Sequence, residues 1–228
     1  ATTDIYTLSL HDALPISFLA AFTEVVRRRS IPPRHYLDFL DAMRHDVRPG
    51  VFPTLAALID GYVHGSATVV GYFLAHVYGP SSPHCFADTL ATARDLGIAL
   101  QLTNFARDVA DDHRRGRLYI PLDVLRAEGL DAESYCRPEN APPLRRCVAW
   151  MAAEAERRYA AAEAGLDYFS PDSRDAIRAC IDVYRQLNRK VSAGAGGWHT
   201  RQSVPSLDKF RVLPPSKYWR LPLAYFGR

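Results

Sequence analysis

The sequence predicts an all-α fold, and three observations support this prediction. From Phe18 onward, apolar residues recur at helical spacing along almost every segment. Proline pairs and Pro-Gly or Gly-rich breaks separate these segments, as expected at helix ends. The chain has 228 residues, is 48% hydrophobic, and contains three Trp, ten Phe and twelve Tyr. It can therefore bury a sizeable core within a single domain.

The first sixteen residues stand apart from this pattern. Residues 6–16 read as the translation of a common sequencing-adapter oligonucleotide. We therefore interpret residues 1–16 as a non-native scar that is excluded from the fold, and residues 17–228 as one helical domain. The alternative is a natural amphipathic helix leading into the domain. On the first interpretation the natural chain is longer at its N-terminus, and the domain is partial.

Two helices are predicted before residue 50. Residues 18–26 present an apolar face that ends at three consecutive arginines. A Pro-Pro pair at 32–33 then opens a second helix, because proline suits the first helical turn. We interpret the acids on this second helix as solvated or structural rather than catalytic: Asp38, Asp41 and Asp46.

A long apolar helix is predicted from about Thr54 to Tyr78. Small residues recur along it near helical spacing: Gly61, Gly65, Ser66, Ala67, Gly71 and Ala75. Each glycine in a helix costs about 1 kcal/mol relative to alanine, so a close approach must compensate for it. Two interpretations remain open, tight packing against another helix and the wall of an apolar tunnel.

The remaining segments are also predicted to be helical, at approximately 85–115, 122–128, 144–169 and 173–192. Prolines 138, 142 and 143 are interpreted as part of a connection. Gly194, Gly196 and Gly197 end the last of these helices, and the tail from Ser203 has no motif.

Composition excludes several classes of function. The formal charge of +3 is small and its basic residues are scattered, so nucleic acid is not an expected partner. The sequence contains no run of eighteen apolar residues, so no membrane-spanning helix is predicted. The four cysteines form no CxxC pair and are interpreted as reduced thiols, while the eight histidines lack zinc-site spacing.

The candidate site lies in the segment QLTNFARDVADDHRRGRLYIP, residues 101–121. Asn104, Asp108 and Asp112 are four residues apart and share one face of a helix, with an axial spacing of about 6 Å. Like charges at this spacing repel each other unless a cation lies between them. Mg²⁺ prefers such oxygen ligands together with substrate phosphates, and neighbouring arginines can bind the same phosphates. A solvated charged helix end is the alternative.

This segment resembles the second aspartate-rich motif of the squalene/phytoene synthase family. The matching words are Gln101–Asn104, Arg107-Asp108, Asp111-Asp112 and Gly116–Pro121. A looser resemblance extends from about residue 18 to 201. The Gly-rich break followed by Trp-His-Thr-Arg, residues 198–201, resembles bacterial phytoene synthases more than squalene synthases.

The resemblance implies an isoprenoid-synthase-like helical bundle with a central cavity, lacking its first helices and the first aspartate-rich motif. It implies a prenyltransferase that condenses two geranylgeranyl diphosphates head-to-head to phytoene through a cyclopropyl diphosphate, in carotenoid biosynthesis. Asn104, Asp108 and Asp112 would hold Mg²⁺ or Mn²⁺, and Asp108, Asp112 and Arg107 would be catalytic. The substrate-binding residues would be Gln101, Arg107, Tyr184 and Arg201.

Two alternatives remain. One is a C15 condensing enzyme that makes squalene, which requires NADPH, or dehydrosqualene; the other is a non-catalytic homologue. The 228-residue chain by itself is expected to be inactive, since the opposing carboxylates would lie outside it. We expect a cytoplasmic protein whose partners are prenyl diphosphates, with association to a membrane surface as a route for product release.

Overall fold

A computed structural model gives the structure of residues 10–47, 50–194 and 201–213, with side chains from Phe18 onward. The described residues are mostly helical, and their only β-type pairing is a single bridge between Pro80 and Phe169. The all-α prediction is confirmed. No helix in these ranges is both long and apolar enough to cross a membrane.

The helices follow one another in the order predicted. They are α1 (Leu10–Arg28), α2 (Pro33–His45), α3 (Leu55–Leu58), a π-helical segment (Ile59–Thr68), α4 (Val69–Tyr78), α5 (Phe86–Arg114), α6 (Leu122–Ala127), α7 (Ala141–Ala164), α8 (Pro171–Ser192) and α9 (Ser206–Arg211). Short 3₁₀ turns cover Pro83–Cys85, Pro138–Asn140 and Leu166–Tyr168. Helix α1 includes residues 10–16, whereas residues 1–9 of the proposed scar lie outside the described ranges.

Helix α5 is the central element of the bundle. It packs against α4, the π-helical segment, α7 and α8, and the core lies between these helices. The largest side chains in this core are almost completely buried: Leu58, Ile98, Leu102, Leu144, Met151, Tyr159 and Ile181. Burial of such side chains stabilises the fold by about 1.5–3 kcal/mol each. The core therefore fixes α5, the helix that carries the candidate motif.

The predicted bounds of α7 were wrong at both ends, and one helix was not predicted. Helix α7 ends at Ala164 rather than 169, and it begins at Ala141 rather than 144, because Pro142 and Pro143 lie in its first turn, where a missing N–H breaks no hydrogen bond. Helix α9 was not predicted, since its six residues are too few to show an apolar periodicity and, unlike the equally short α6, it is not followed by a helix-ending glycine.

The small residues on the long helix allow close packing and also line a cavity. A methyl group added to Gly65 would approach the Ala42 side chain of α2 to 2.6 Å, so Gly65 serves packing. Ser66, Ala67 and Gly71 line a cavity between this helix, α5 and α8. The structural interpretation of the α2 acids is also supported, because Asp46 accepts a 2.7 Å hydrogen bond from the Tyr62 hydroxyl.

Candidate active site

The end of α5 presents the acidic motif in a fixed geometry. Gly116 adopts φ +68°, a left-handed conformation that favours glycine, directly after the helix. The Arg117 N–H then donates to the Asp112 carbonyl oxygen (2.8 Å) and the Gly116 N–H donates to the His113 carbonyl oxygen (2.9 Å). This is a Schellman motif, which ends the helix and returns the chain toward it. Asn104, Asp108 and Asp112 together are called the acidic row below. The turn brings Arg117 close to Asp112, the last residue of this row.

Asp108 lies between two arginines. Its Oδ1 accepts hydrogen bonds from Arg107 Nε (2.8 Å) and from Arg201 Nε (2.9 Å), and its Oδ2 accepts from Arg107 Nη2. Burial disfavours the charged carboxylate, but the hydrogen bond and charge of Arg107, together with Arg201, outweigh it and lower the pKa of Asp108. Asp108 is therefore held ionised. Arg201 reaches it from 93 residues further along the chain.

Asp112, one turn further along α5, has the opposite electrostatic character. Burial and the negative charge of Asp108 raise the pKa of Asp112 to about 6, against the opposing attraction of Arg117 and Arg115. The predicted repulsion within the row is therefore present in the structure. A cation beside Asp112 would relieve it.

Asn104 begins the row and carries an unsatisfied acceptor. Its Nδ2 donates a long hydrogen bond to Gln101 Oε1 (3.5 Å). Its Oδ1 is buried and has no hydrogen-bond partner among the described residues. A buried acceptor without a partner costs about 1–3 kcal/mol, so this oxygen indicates a site that receives a ligand.

An apolar cavity of about 280 Å³ extends from Asn104 and Gln101 into the bundle. Its walls come from the π-helical segment, α4, α5 and α8, with Leu74, Leu100 and Ile177 among the apolar residues. Tyr184 of α8 lies along the same wall. At the opposite end, Tyr78 and Phe169 lie next to the bridge that joins Pro80 to Phe169. This shape suits an elongated apolar ligand with a polar head at the acidic row.

A second, more basic pocket adjoins the cavity. It has a volume of about 220 Å³ and includes Arg107, Tyr184 and Arg201. Lys209 of α9 contributes a third cation to its lining. Because Tyr184 lines both pockets, the apolar cavity and the basic pocket are adjacent.

Six of the seven candidate residues lie at the two pockets, and the seventh, Asp112, lies beside them in a separate crevice. Gln101, Asn104 and Tyr184 line the cavity, Arg107 and Arg201 line the basic pocket, and Asp108 is bonded to both arginines. Asp112 lies in a crevice with Arg117 and Tyr135, one turn beyond Asp108. Lys209 was not predicted, since a lone lysine in the tail belongs to no motif. Ser66 was predicted only as one of the small residues of the long helix, for which packing and a tunnel wall both remained open, and not as a polar group of the site.

The donor set suits a magnesium ion bound together with a substrate. No group of three or more His, Cys, Asp or Glu side chains arranged to hold a metal occurs in the described ranges. Two carboxylates and the unpartnered oxygen of Asn104 are present instead, on consecutive turns of α5. Mg²⁺ commonly takes one or two carboxylates and completes its shell with water and phosphate oxygens. The residues therefore fit Mg²⁺ as a bridge to a phosphorylated ligand.

Comparison with known proteins identifies the family. The sequence model described as squalene/phytoene synthase matches residues 11–211. The chain belongs to this family. It is 38% identical over 195 residues to a 15-cis-phytoene synthase of Pantoea ananas, covering 85% of this chain and 62% of the relative. A 15-cis-phytoene synthase of Enterobacter agglomerans is 36% identical over 195 residues, covering 85% and 64%.

The fold is also found in a solved structure of another protein. A dehydrosqualene synthase superimposes with a TM-score of 0.70 at 23% identity, covering 85% of this chain and 66% of that one. The chain spans somewhat less than two thirds of the length of the two curated phytoene synthases it matches.

Proposed function

We propose that this chain forms the second metal-binding helix, the basic pocket and the chain cavity of an enzyme that condenses two prenyl diphosphates head-to-head. One observation supports this most directly: Asp108, ionised between Arg107 and Arg201, lies one turn from the unpartnered Asn104 oxygen at the end of an apolar cavity. The site thus combines a polar end with an apolar cavity, and a prenyl diphosphate correspondingly combines a polyanionic head with an apolar tail.

The diphosphate would bind at the basic pocket and the acidic row. Arg107, Arg201 and Lys209 supply three cations, and arginine pairs well with phosphate oxygens through two parallel hydrogen bonds. Asn104, Asp108 and Asp112 would hold Mg²⁺, which when bound draws negative charge from the departing diphosphate. Arg201 is 62% exposed at its side chain, so it can turn from Asp108 to a phosphate with little disturbance of the core.

The prenyl chains would lie in the apolar cavity. Its walls exclude water from a reacting carbon, and this exclusion protects a carbocation from hydrolysis. Gln101 and Tyr184 lie where the cavity meets the polar groups, and there they can orient the reacting ends. The first condensation would release one diphosphate and one proton and give a cyclopropyl diphosphate. Ionisation of this intermediate would release the second diphosphate, and the rearranged cation would lose a proton to give the product.

We propose C20 substrates and phytoene as the product. The curated relatives at 36–38% identity are named 15-cis-phytoene synthases, and this supports the C20 assignment. The alternative C15 reaction would give dehydrosqualene, or squalene if NADPH supplies hydride.

The test is to assay the full-length protein from the natural gene with radiolabelled geranylgeranyl diphosphate and Mg²⁺, followed by extraction of apolar product. We expect labelled phytoene, and a loss of about 10²–10³-fold in kcat for Asp108→Asn because one stabilising group is removed. The matched control is Asp111→Asn, whose parent carboxylate pairs with Arg114 at the helix surface and should keep its rate within about twofold.

Other outcomes of this assay separate the alternatives. Product from farnesyl diphosphate only would replace the C20 assignment by the C15 one. Binding of prenyl diphosphate without any condensation would support a non-catalytic homologue.

A further inference from the structure

The cavity contains a second buried polar atom that the proposed function does not use. Four buried side-chain oxygens lack a hydrogen-bond partner within the described ranges: Tyr36 Oη, Ser66 Oγ, Thr68 Oγ1 and Asn104 Oδ1. Of these four residues, Ser66 and Asn104 line the apolar cavity. Asn104 belongs to the acidic row, whereas Ser66 lies on the π-helical segment. Its hydroxyl is therefore an unsatisfied dipole in the wall of the cavity proposed for the prenyl chain.

The packing of two helices fixes the depth of Ser66 in the cavity. A methyl group added to Gly71 would come within 2.7 Å of the Ala93 carbonyl oxygen, and one added to Gly97 would come within 3.0 Å of the Ala67 carbonyl oxygen. These two contacts show that the long helix runs antiparallel to α5. Ser66 therefore lies level with the turn of α5 between Gly97 and Gln101.

The position of Ser66 along the axis of α5 is close to that expected for the reacting carbon of the prenyl chain. A diphosphate held by Asn104 and Asp108 places the first carbon of its chain about one helical turn inside, near Gln101. Ser66 is then roughly 5 Å further along the axis, at 1.5 Å per residue. An allylic cation shares its charge between the first and third carbons, so positive charge extends toward Ser66.

A neutral prenyl chain offers the Ser66 hydroxyl no hydrogen bond. A chain that carries positive charge interacts favourably with the lone pairs of the hydroxyl oxygen, and this interaction is stronger in an apolar, water-poor cavity. A dipole that is oriented before the reaction stabilises the developing charge without reorganisation. The position of Ser66 is thus unfavourable in the free protein and favourable once charge develops.

We propose, on the basis of the function proposed above, that Ser66 contacts the reacting chain and stabilises its positive charge through the hydroxyl oxygen. The bond that breaks joins the first carbon to the diphosphate oxygen, and its electron pair leaves with the diphosphate. Ser66 forms no covalent bond and keeps its proton. Its interaction is with the cation alone, so it acts on the rate of ionisation and not on binding of the neutral chain.

The test compares two analogues that differ only in charge. One is a geranylgeranyl chain ending in a dimethylammonium group, and the other is the hydrocarbon with an isopropyl group in its place. Each is titrated calorimetrically into the full-length protein with Mg²⁺ and inorganic pyrophosphate. For Ser66→Ala we expect about tenfold weaker binding of the ammonium, because a hydrogen-bonding group facing a charge is removed. Binding of the hydrocarbon should change less than about twofold, and Ser66→Thr, which retains the hydroxyl, should restore ammonium binding.

Thr68→Val provides the matched control. Thr68 also has a buried, unpartnered hydroxyl on the same segment, but the cavity is lined by its neighbours Ala67 and Val70. Both Ser66→Ala and Thr68→Val should leave the melting temperature unchanged or raise it, since each removes an unsatisfied buried group. Only Ser66→Ala should weaken binding of the ammonium analogue.

Three results would overturn the inference. Equal weakening of both analogues by Ser66→Ala would assign Ser66 a role in shape alone, and no weakening of either would assign it none. If the unaltered protein binds neither analogue, the proposed function fails, and the role of Ser66 fails with it.

Discussion

Two adjacent residues on α5, Thr103 and Asn104, differ in whether their buried side-chain oxygens have hydrogen-bond partners, and they lie on different faces of the helix. Thr103 Oγ1 donates to the Ala99 carbonyl oxygen (2.9 Å) and lies 2.8 Å from the Tyr159 hydroxyl. Asn188 completes this buried group by donating to the Ala152 carbonyl oxygen (2.8 Å). On the other face, the Asn104 oxygen has no partner among the described residues, and Asp112 is held with a raised pKa.

This difference separates the requirements of folding from those of binding. A buried polar group that only stabilises the fold is paired, as Thr103, Tyr159 and Asn188 are. A group that awaits a ligand is left unpaired, and it lowers the stability of the unliganded protein. Because Thr103 lies on the same helix as Asn104, Asp108 and Asp112, the core that fixes Thr103 also positions these three residues, even though their arrangement is electrostatically unfavourable.

The largest expected effect is a contrast between two asparagines. Asn188→Ala should lower the free energy of unfolding by about 2–4 kcal/mol, since it removes a buried side chain together with its hydrogen bond to the Ala152 carbonyl oxygen. Asn104→Ala should change it by less than about 0.5 kcal/mol or raise it, because it removes an acceptor with no partner. Urea denaturation of both variants measures the difference. Equal losses would show that the two faces of α5 are not distinguished in this way.

The sequence predicted the fold, the family and the central motif because each depends on local pattern. The four-residue spacing of Asn104, Asp108 and Asp112 directly determines that they share a face, and Gly116 directly marks the helix end. These features need no knowledge of tertiary contacts.

The remainder of the site depends on packing that no local pattern contains. Arg201 reaches Asp108 across 93 residues, and Lys209 reaches the basic pocket from a short helix that was not predicted. The resemblance suggested Arg201, but nothing suggested Lys209. The different pKa values of Asp108 and Asp112 depend on burial and neighbouring charges, which the two identical side chains do not reveal.

A smaller effect should appear in the pH dependence of stability. The folded protein binds the Asp112 proton more tightly than the unfolded chain does, so stability is lost as the pH rises from the ordinary pKa of 3.8 through about 6. An asparagine side chain at this position has no proton to lose in this range. Asp112→Asn should therefore raise the melting temperature by about 2–4 °C at pH values above about 7 and have little effect below about pH 4.

Asp111→Asn serves as the control, because Asp111 pairs with Arg114 and its charge contributes less than that of Asp108 to the raised pKa of Asp112. Its melting temperature should follow that of the parent more closely than that of Asp112→Asn does across the same pH range. If Asp112→Asn were instead destabilising at neutral pH, the carboxylate would have a favourable partner in the folded state, and the proposed electrostatic strain would be wrong.

The most direct test of the central claim is the coupling between Mg²⁺ and pyrophosphate at the unpaired face of α5. Calorimetric titration of the chain with pyrophosphate, with and without Mg²⁺, measures it. We expect Mg²⁺ to tighten pyrophosphate binding at least about tenfold, a typical coupling of about 1–3 kcal/mol, because the metal would bridge the acidic row and the anion. This coupling should be lost in Asp112→Asn and retained in Asp111→Asn. Equal affinity with and without Mg²⁺, or coupling that survives Asp112→Asn, would contradict a metal–diphosphate site on this helix.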